Sequence, residues 1–119
     1  MPDPVNSQRP AGALCSYSGY LTGFTLDPEL VASLRTTAQR IGINLDVERN
    51  FIELSFVGRD SNDFVIAFLS ELARAIGDAD GEIRCEITID ELDPLFEFYR
   101  VSEGKLLRQK CRKSRRVHA

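Results

Sequence analysis

The residue types that most often carry catalysis or bind metals are sparse in this chain and lie far apart. The only histidine is His118, and the three cysteines, Cys15, Cys85 and Cys111, form no CxxC pair. A structural zinc site needs about four Cys, His or carboxylate ligands at short spacing. Ser–His–Asp and Cys–His catalysis need a histidine held inside the fold. We therefore predict no metal, no cofactor and no catalytic residue.

Two carboxylate clusters allow other chemistry. Two of the carboxylates Asp90, Glu91 and Asp93 could act as an acid–base pair. Residues 78–82 (DADGE) resemble part of a calcium loop. A complete EF-hand loop ends in a glutamate at its twelfth position, which here is Ile89. We interpret both clusters as charged connectors. The isolated glycines match neither GxGxxG nor GxxxxGK[ST], the two common phosphate-binding loops.

Cysteine chemistry is the remaining possibility. Cys111 is flanked by Lys110 and Arg112, and neighbouring cations favour the thiolate form. Cys111 is therefore the candidate reactive thiol. Cys85 alternates with polar residues along a predicted strand, and we expect it to be a small buried side chain.

The charge of the chain is divided into two blocks of opposite sign. Residues 1–103 contain all eighteen acidic residues and eight arginines, which gives a net charge of −10. Residues 104–119 contain three lysines, four arginines and no acid, which gives +7. Such asymmetry predicts a partner for the basic end: nucleic acid, an acidic protein surface, or the acidic body of the same fold.

The elements that must position these residues follow from apolar periodicity. Asp27 as N-cap and Pro28 at the first position predict the start of one helix, which ends at Ile41-Gly42. A second apolar stripe of helical spacing follows the loop 58–62 and ends at Ile76-Gly77. Glycine after the last turn is a common helix stop.

Alternating apolar and polar residues predict the strands. They lie at 20–26, 43–48, 51–57 and 82–90, and a hairpin at 95–112 turns at Ser102-Glu103-Gly104. The order β-α-β-β-α-β predicts an α+β, ferredoxin-like antiparallel sheet with two helices on one face, plus the C-terminal β-hairpin. The alternative is an α+β sheet with the same elements in another strand order.

Length and composition fit a single domain, with 119 residues and 43% hydrophobic content. We assign residues 1–16 to a flexible leader, 17–112 to one domain that includes the hairpin 95–112, and 113–119 to a basic flexible tail. The odd, dispersed cysteines are typical of a reducing compartment. No stretch approaches the about 20 apolar residues of a membrane span. We expect a cytoplasmic protein that does not associate with membranes.

The alternation leaves the sheet face opposite the helices polar and mainly acidic. Carboxylates there would repel phosphate, and only Phe51 could stack on a base, so we do not expect this face to bind RNA. The basic strand of the hairpin could instead pair with these acids, within one chain or between two copies. The candidate protein-interaction residues are Asp46, Glu48, Glu53, Glu86, Arg108, Lys110 and Arg112.

These patterns favour a non-catalytic protein-interaction module, either a homodimer or an inhibitor or immunity-type protein with an acidic binding surface. The alternative is nucleic-acid binding through the basic C-terminal segment, with phosphate contacts from Lys113, Arg115 and Arg116. A second alternative is a small-ligand-binding or enzymatic ferredoxin-like domain. Its candidate residues, chosen only for the direction they face, are Tyr20, Glu53, Glu86 and Tyr99.

Overall fold

The computed structural model describes residues 13–59, 64–88 and 94–111, with side chains described as far as residue 109. Within these ranges the helices are α1 (Pro28–Ile41) and α2 (Phe64–Ile76). The strands are β1 (Leu14–Thr22), β2 (Asn44–Val47), β3 (Phe51–Arg59), β4 (Asp80–Thr88), β5 (Leu95–Ser102) and β6 (Lys105–Cys111). The predicted α+β class is confirmed.

The six strands form one sheet in the order β2-β3-β1-β4-β5-β6. Each neighbouring pair is antiparallel. The hairpin β5–β6 lies beside β4 and widens the sheet, and it does not cover the acidic face. The sheet therefore differs from the predicted arrangement, because the hairpin continues the sheet and is not a separate addition.

Helix α1 has the predicted bounds. Asp27 is at the N-cap position with extended backbone, although its side chain makes no capping hydrogen bond, and Pro28 begins the helix. Gly42 ends it with a φ of 85°, which is the left-handed conformation that glycine adopts without steric cost. Arg35 Nη2 donates to the Val47 carbonyl at 3.0 Å, which ties the helix to β2.

The first strand lies earlier than predicted. The apolar pattern predicts it at 20–26, whereas β1 runs from Leu14 to Thr22, so residues 14–16 belong to the sheet and not to a leader. The first two buried residues of this strand, Cys15 and Tyr17, alternate with serines, and Gly19 interrupts the apolar pattern before the third, Leu21. The apolar run 20–26 instead spans the end of β1 and the loop into α1. Residues 1–12 lie outside the described residues.

The hydrophobic core lies between the two helices and one face of the sheet. The apolar stripes of α1 and α2 join alternate strand residues in a single buried cluster, and the helices also contact each other. Tyr17 and Tyr99 are the largest side chains in it, each at most 1% exposed. Their rings stack with centroids 6.5 Å apart, which packs β1 against β5 across β4.

The position of the β5–β6 hairpin is set at its turn. The backbone N–H of Gly104 donates to the Gly77 carbonyl at 2.7 Å, and the N–H of Glu103 donates to Asp78 Oδ1 at 2.9 Å. Both acceptors directly follow α2. The hairpin is therefore anchored at the C-terminal end of α2 as well as along β4.

Candidate protein-interaction surface

No described helix covers the second face of the sheet, and we call this surface the open face. It runs across all six strands, because the residues that point away from the helices alternate with the buried ones on every strand. Its main side chains are Ser16, Ser18, Tyr20, Asn44, Asp46, Phe51, Glu53, Ser55, Val57, Glu82, Arg84, Glu86, Phe96, Phe98, Arg100, Leu107 and Gln109.

The half of the open face on β2 and β3 is acidic. Asp46 of β2 is directly opposite Glu53 of β3, and both are exposed. On the other side of Glu53 is Tyr20, whose ring stacks on Phe51 at 5.7 Å between centroids and 28° between planes. Asp46, Glu53 and Tyr20 line a shallow concave surface of about 460 Å³. Carboxylates beside aromatic rings are suited to cationic side chains.

The half on β4 and β5 carries charges of both signs, since Arg84 and Arg100 share it with Glu82 and Glu86, and it also carries two phenylalanine rings. The guanidinium carbon of Arg84 lies 5.8 Å from the centre of the Phe96 ring, and Arg84 is opposite Phe98 in the sheet. Arg100 follows on β5 and is exposed. Alternation in the sequence does not predict the β5 part of this half, because the segment LFEFYRV has aromatic residues at positions of both parities. Its periodicity therefore does not show which side is buried.

Apolar side chains are exposed on the same face. Val57 is 66% exposed, Tyr20 52% and Leu107 45%. Each lies on a strand that packs its other side into the core. Aromatic and apolar groups among charges of both signs are typical of protein interfaces.

The acidic residues predicted from the sequence are brought together in part. Asp46, Glu53 and Glu86 lie on the open face, and Glu86 is half-buried. Glu48 is exposed just beyond β2, where its backbone N–H donates to the Phe51 carbonyl at 2.9 Å. It therefore sits in the β2–β3 turn, at the margin of this surface.

The basic candidates have a different outcome. Arg108 lies on the helix side of β6, opposite Tyr99, so it cannot pair with the acids of the open face as the sequence suggests. The alternation along β6 is as predicted, but the side that bears Arg108 faces the core. Lys110 and Cys111 belong to β6, and their side chains lie outside the described residues, as do Arg112, Lys113, Arg115 and Arg116.

Arg108 instead joins a buried polar cluster. The Tyr99 hydroxyl donates a hydrogen bond to Glu97 Oε1, and Arg108 Nη1 lies 4.0 Å from Glu97 Oε2. Glu97 is only 5% exposed. This arrangement matches a structural ion pair inside the core, because the cation and the hydroxyl offset the cost of burying the carboxylate.

The predicted small-ligand site is not assembled. Tyr20, Glu53 and Glu86 are on the open face, whereas Tyr99 is fully buried on the other side of the sheet. Cys85 is fully buried, as predicted, and so is Cys15. Within the described ranges, no three His, Cys, Asp or Glu side chains are grouped as metal ligands.

Neither described helix is long and apolar enough to cross a membrane. In comparisons with known proteins, no family model matches the chain. No curated protein or solved structure shows significant similarity to it.

Proposed function

We propose that this protein is a non-catalytic protein-interaction module that binds its partner through the open face. The supporting observation is that exposed Val57 and Tyr20 lie among Asp46, Glu53 and Arg100 on the face opposite the core. Exposed apolar groups beside charges of both signs are more favourable in contact with a protein partner than exposed to solvent.

The charge arrangement adds an energetic argument. Asp46 and Glu53 are direct cross-strand neighbours, and like charges in that position destabilise a sheet by up to about 1 kcal/mol. A cationic group from a partner would relieve this repulsion. The pair is therefore more easily understood as part of a binding surface than as a stabilising feature of the fold.

We also propose a relationship to the ferredoxin-like plan. The portion β2-β3-β1-β4 with its two helices would be the ferredoxin-like unit, and β5–β6 would be an extension at its β4 edge. The extension supplies Phe96, Phe98 and Arg100, so it would add aromatic rings and a cation to an otherwise mainly acidic face. A cytoplasmic location would suit the buried thiols of Cys15 and Cys85.

Site-specific photo-crosslinking tests the proposed function. A photoreactive phenylalanine analogue replaces Val57 on the open face, and a matched control replaces Ala67, which is exposed on α2. We expect an adduct from position 57 whose partner is identified by peptide sequencing, and little adduct from position 67. Equal yields from both positions, or none from either, would contradict the proposal.

Nucleic-acid binding is a second candidate, and the arginines and aromatic rings of β4 and β5 favour it. Phe96 and Phe98 lie beside Arg84 and Arg100, which resembles the combination of rings and cations that binds single strands. This candidate predicts an anisotropy increase for a labelled single-stranded oligonucleotide that weakens with salt and is reduced in a chain ending at Arg112. Negligible binding by both chains would eliminate it.

A further inference from the structure

We infer that the partner of the open face is a second copy of this chain, packed open face to open face in a two-fold symmetric dimer. This inference rests on the proposed function of the open face and specifies its occupant. It follows from how charge and apolar groups are distributed about the centre of the sheet.

The centre of the six-stranded sheet lies between β1 and β4. Glu53 on β3 and Arg100 on β5 lie on strands that are equally distant from this midline, on opposite sides. Val57 on β3 and Phe96 on β5 are related in the same way. At these two pairs of positions the open face carries an acid that mirrors a base and an aliphatic group that mirrors an aromatic ring. The acids Glu82 and Glu86 on β4 mirror the uncharged Tyr20 and Ser16 on β1.

These residues are also level with one another along the strands. Val57 is opposite Ser16, Ser16 is opposite Glu86, and Glu86 is opposite Phe96. Glu53, Tyr20 and Glu82 form a parallel row four residues away. Continuing the β4–β5 register by one residue beyond Ile83 and Tyr99 places Arg100 in that second row.

The direction of the two-fold axis follows from this pattern. Two sheets packed face to face are related by an axis in the plane between them. If the axis runs along the strands, β3 of one copy faces β5 of the other. Glu53 then faces Arg100 of the second copy, and Val57 faces its Phe96. If the axis runs across the strands, β3 faces β3, and the acidic halves repel each other.

The size of the open face is compatible with a dimer. With about 4.8 Å between strands and about 3.3 Å per residue, the sheet presents a face on the order of 600 Å². Standard interfaces bury roughly 800 Å² per partner. Aligned sheets pack at about 30° to one another, so facing strands cross obliquely, and β1 and β4, which are nearest the midline, stay the best aligned.

Sedimentation equilibrium of the full chain tests the inference with charge reversals. We expect Glu53→Arg and Arg100→Glu each to raise the dimer dissociation constant about tenfold or more, since symmetry places each change in the interface twice. The double variant restores opposite charges in both pairs, and we expect it to recover most of the affinity. Circular dichroism confirms that each variant is folded.

Matched reversals on the helix side serve as controls. Glu71→Arg and Arg74→Glu change exposed residues of α2, and we expect neither to alter the dissociation constant. A chain ending at Arg112 shows whether the basic C-terminal segment contributes. A dimer that is lost in this shorter chain but withstands Arg100→Glu would overturn the inference by assigning that segment as the occupant.

The remaining outcomes separate the inference from the proposed function. A chain that stays monomeric at all concentrations overturns the dimer, although crosslinking of Val57 to a different protein would still support the interaction module. A dimer in which the double variant shows no recovery overturns the axis along the strands. Absence of both self-association and Val57 adducts would remove the dimer and the proposed function together.

Discussion

At the scale of single residues, Glu97 shows how the helix side of the sheet tolerates a charge. A carboxylate removed from water costs several kcal/mol unless it is paired and hydrogen-bonded. The Tyr99 hydroxyl donates to one of its oxygens, and the Arg108 guanidinium is 4.0 Å from the other. The three side chains therefore stabilise the fold only as a set.

Removing the cation from this set should be costly. We expect Arg108→Met to lower the free energy of unfolding by about 3–5 kcal/mol, because the Glu97 charge stays buried without it. Tyr99→Phe should cost about 1–3 kcal/mol through the lost hydroxyl donor. Urea denaturation measures both, with exposed Arg49→Met as the control. If Arg108→Met costs no more than this control, the pair does not stabilise the core.

Gly19 is a second residue whose type is dictated by its neighbour. A Cβ at this position would lie 2.7 Å from both Cα and Cγ1 of Ile83, which is opposite Gly19 on β4. We expect Gly19→Ala to destabilise the protein by about 1–3 kcal/mol, because the backbone of β4 must move. Ser18→Ala, at the exposed neighbouring position, should have little effect in the same urea titration. Equal stability of the two variants would contradict the clash.

At the scale of elements, β5 contributes side chains both to the core and to the open face. Glu97, Tyr99 and Val101 point into the core, while Phe96 and Phe98 point to the open face. The strand is held on one side by β4 and on the other by β6. Changes on its open face therefore test the proposed binding without removing any core side chain.

The β2–β3 pair gives a test in which stability and binding move in opposite directions. Asp46→Asn removes the repulsion with Glu53, and we expect it to stabilise the monomer by about 0.2–1 kcal/mol. The same change should weaken self-association, because the acidic half loses one charge. Urea titration at low protein concentration measures the first effect, and sedimentation the second. Glu71→Gln on α2 is the control, and a destabilised Asp46→Asn monomer would contradict the repulsion.

At the scale of the whole molecule, the opposite charges are arranged across one surface. Two arginines of the open face, Arg84 and Arg100, belong to the acidic block of the sequence, whereas Arg108 of the basic block is enclosed beside Glu97. The separation of charge along the chain is therefore different from the separation of charge on the open face. The proposed dimer depends on the arrangement on the open face, where Glu53 on β3 would face Arg100 on β5 of a second copy.

A self-complementary surface should make stability depend on protein concentration. Association of folded chains stabilises them by mass action, so we expect the thermal midpoint of the full chain to rise as its concentration increases. Glu53→Arg should remove this dependence while remaining folded at low concentration. Calorimetry over a wide concentration range measures the midpoint. A midpoint that does not change with concentration would contradict the dimer.

The sequence by itself determined the helices and the direction of most strand residues. Asp27, Pro28 and Gly42 mark the ends of α1 through local backbone preferences, and the alternation 51–57 assigns Glu53 and Val57 to the open face. Such signals are local, because each depends on residues within a few positions of one another.

Only the tertiary structure decided which side of the hairpin is buried and where β1 begins. Strand pairing is non-local, and the aromatic residues of β5 occur on both of its sides, so no short window distinguishes Phe96 from Tyr99. Docking beside β4 places Phe96 and Arg100 on the open face and turns Arg108 toward Glu97. Part of the candidate site could therefore be predicted. The positions of Asp46 and Glu53 follow from alternation, whereas those of Phe96 and Arg100 depend on the register between β4 and β5.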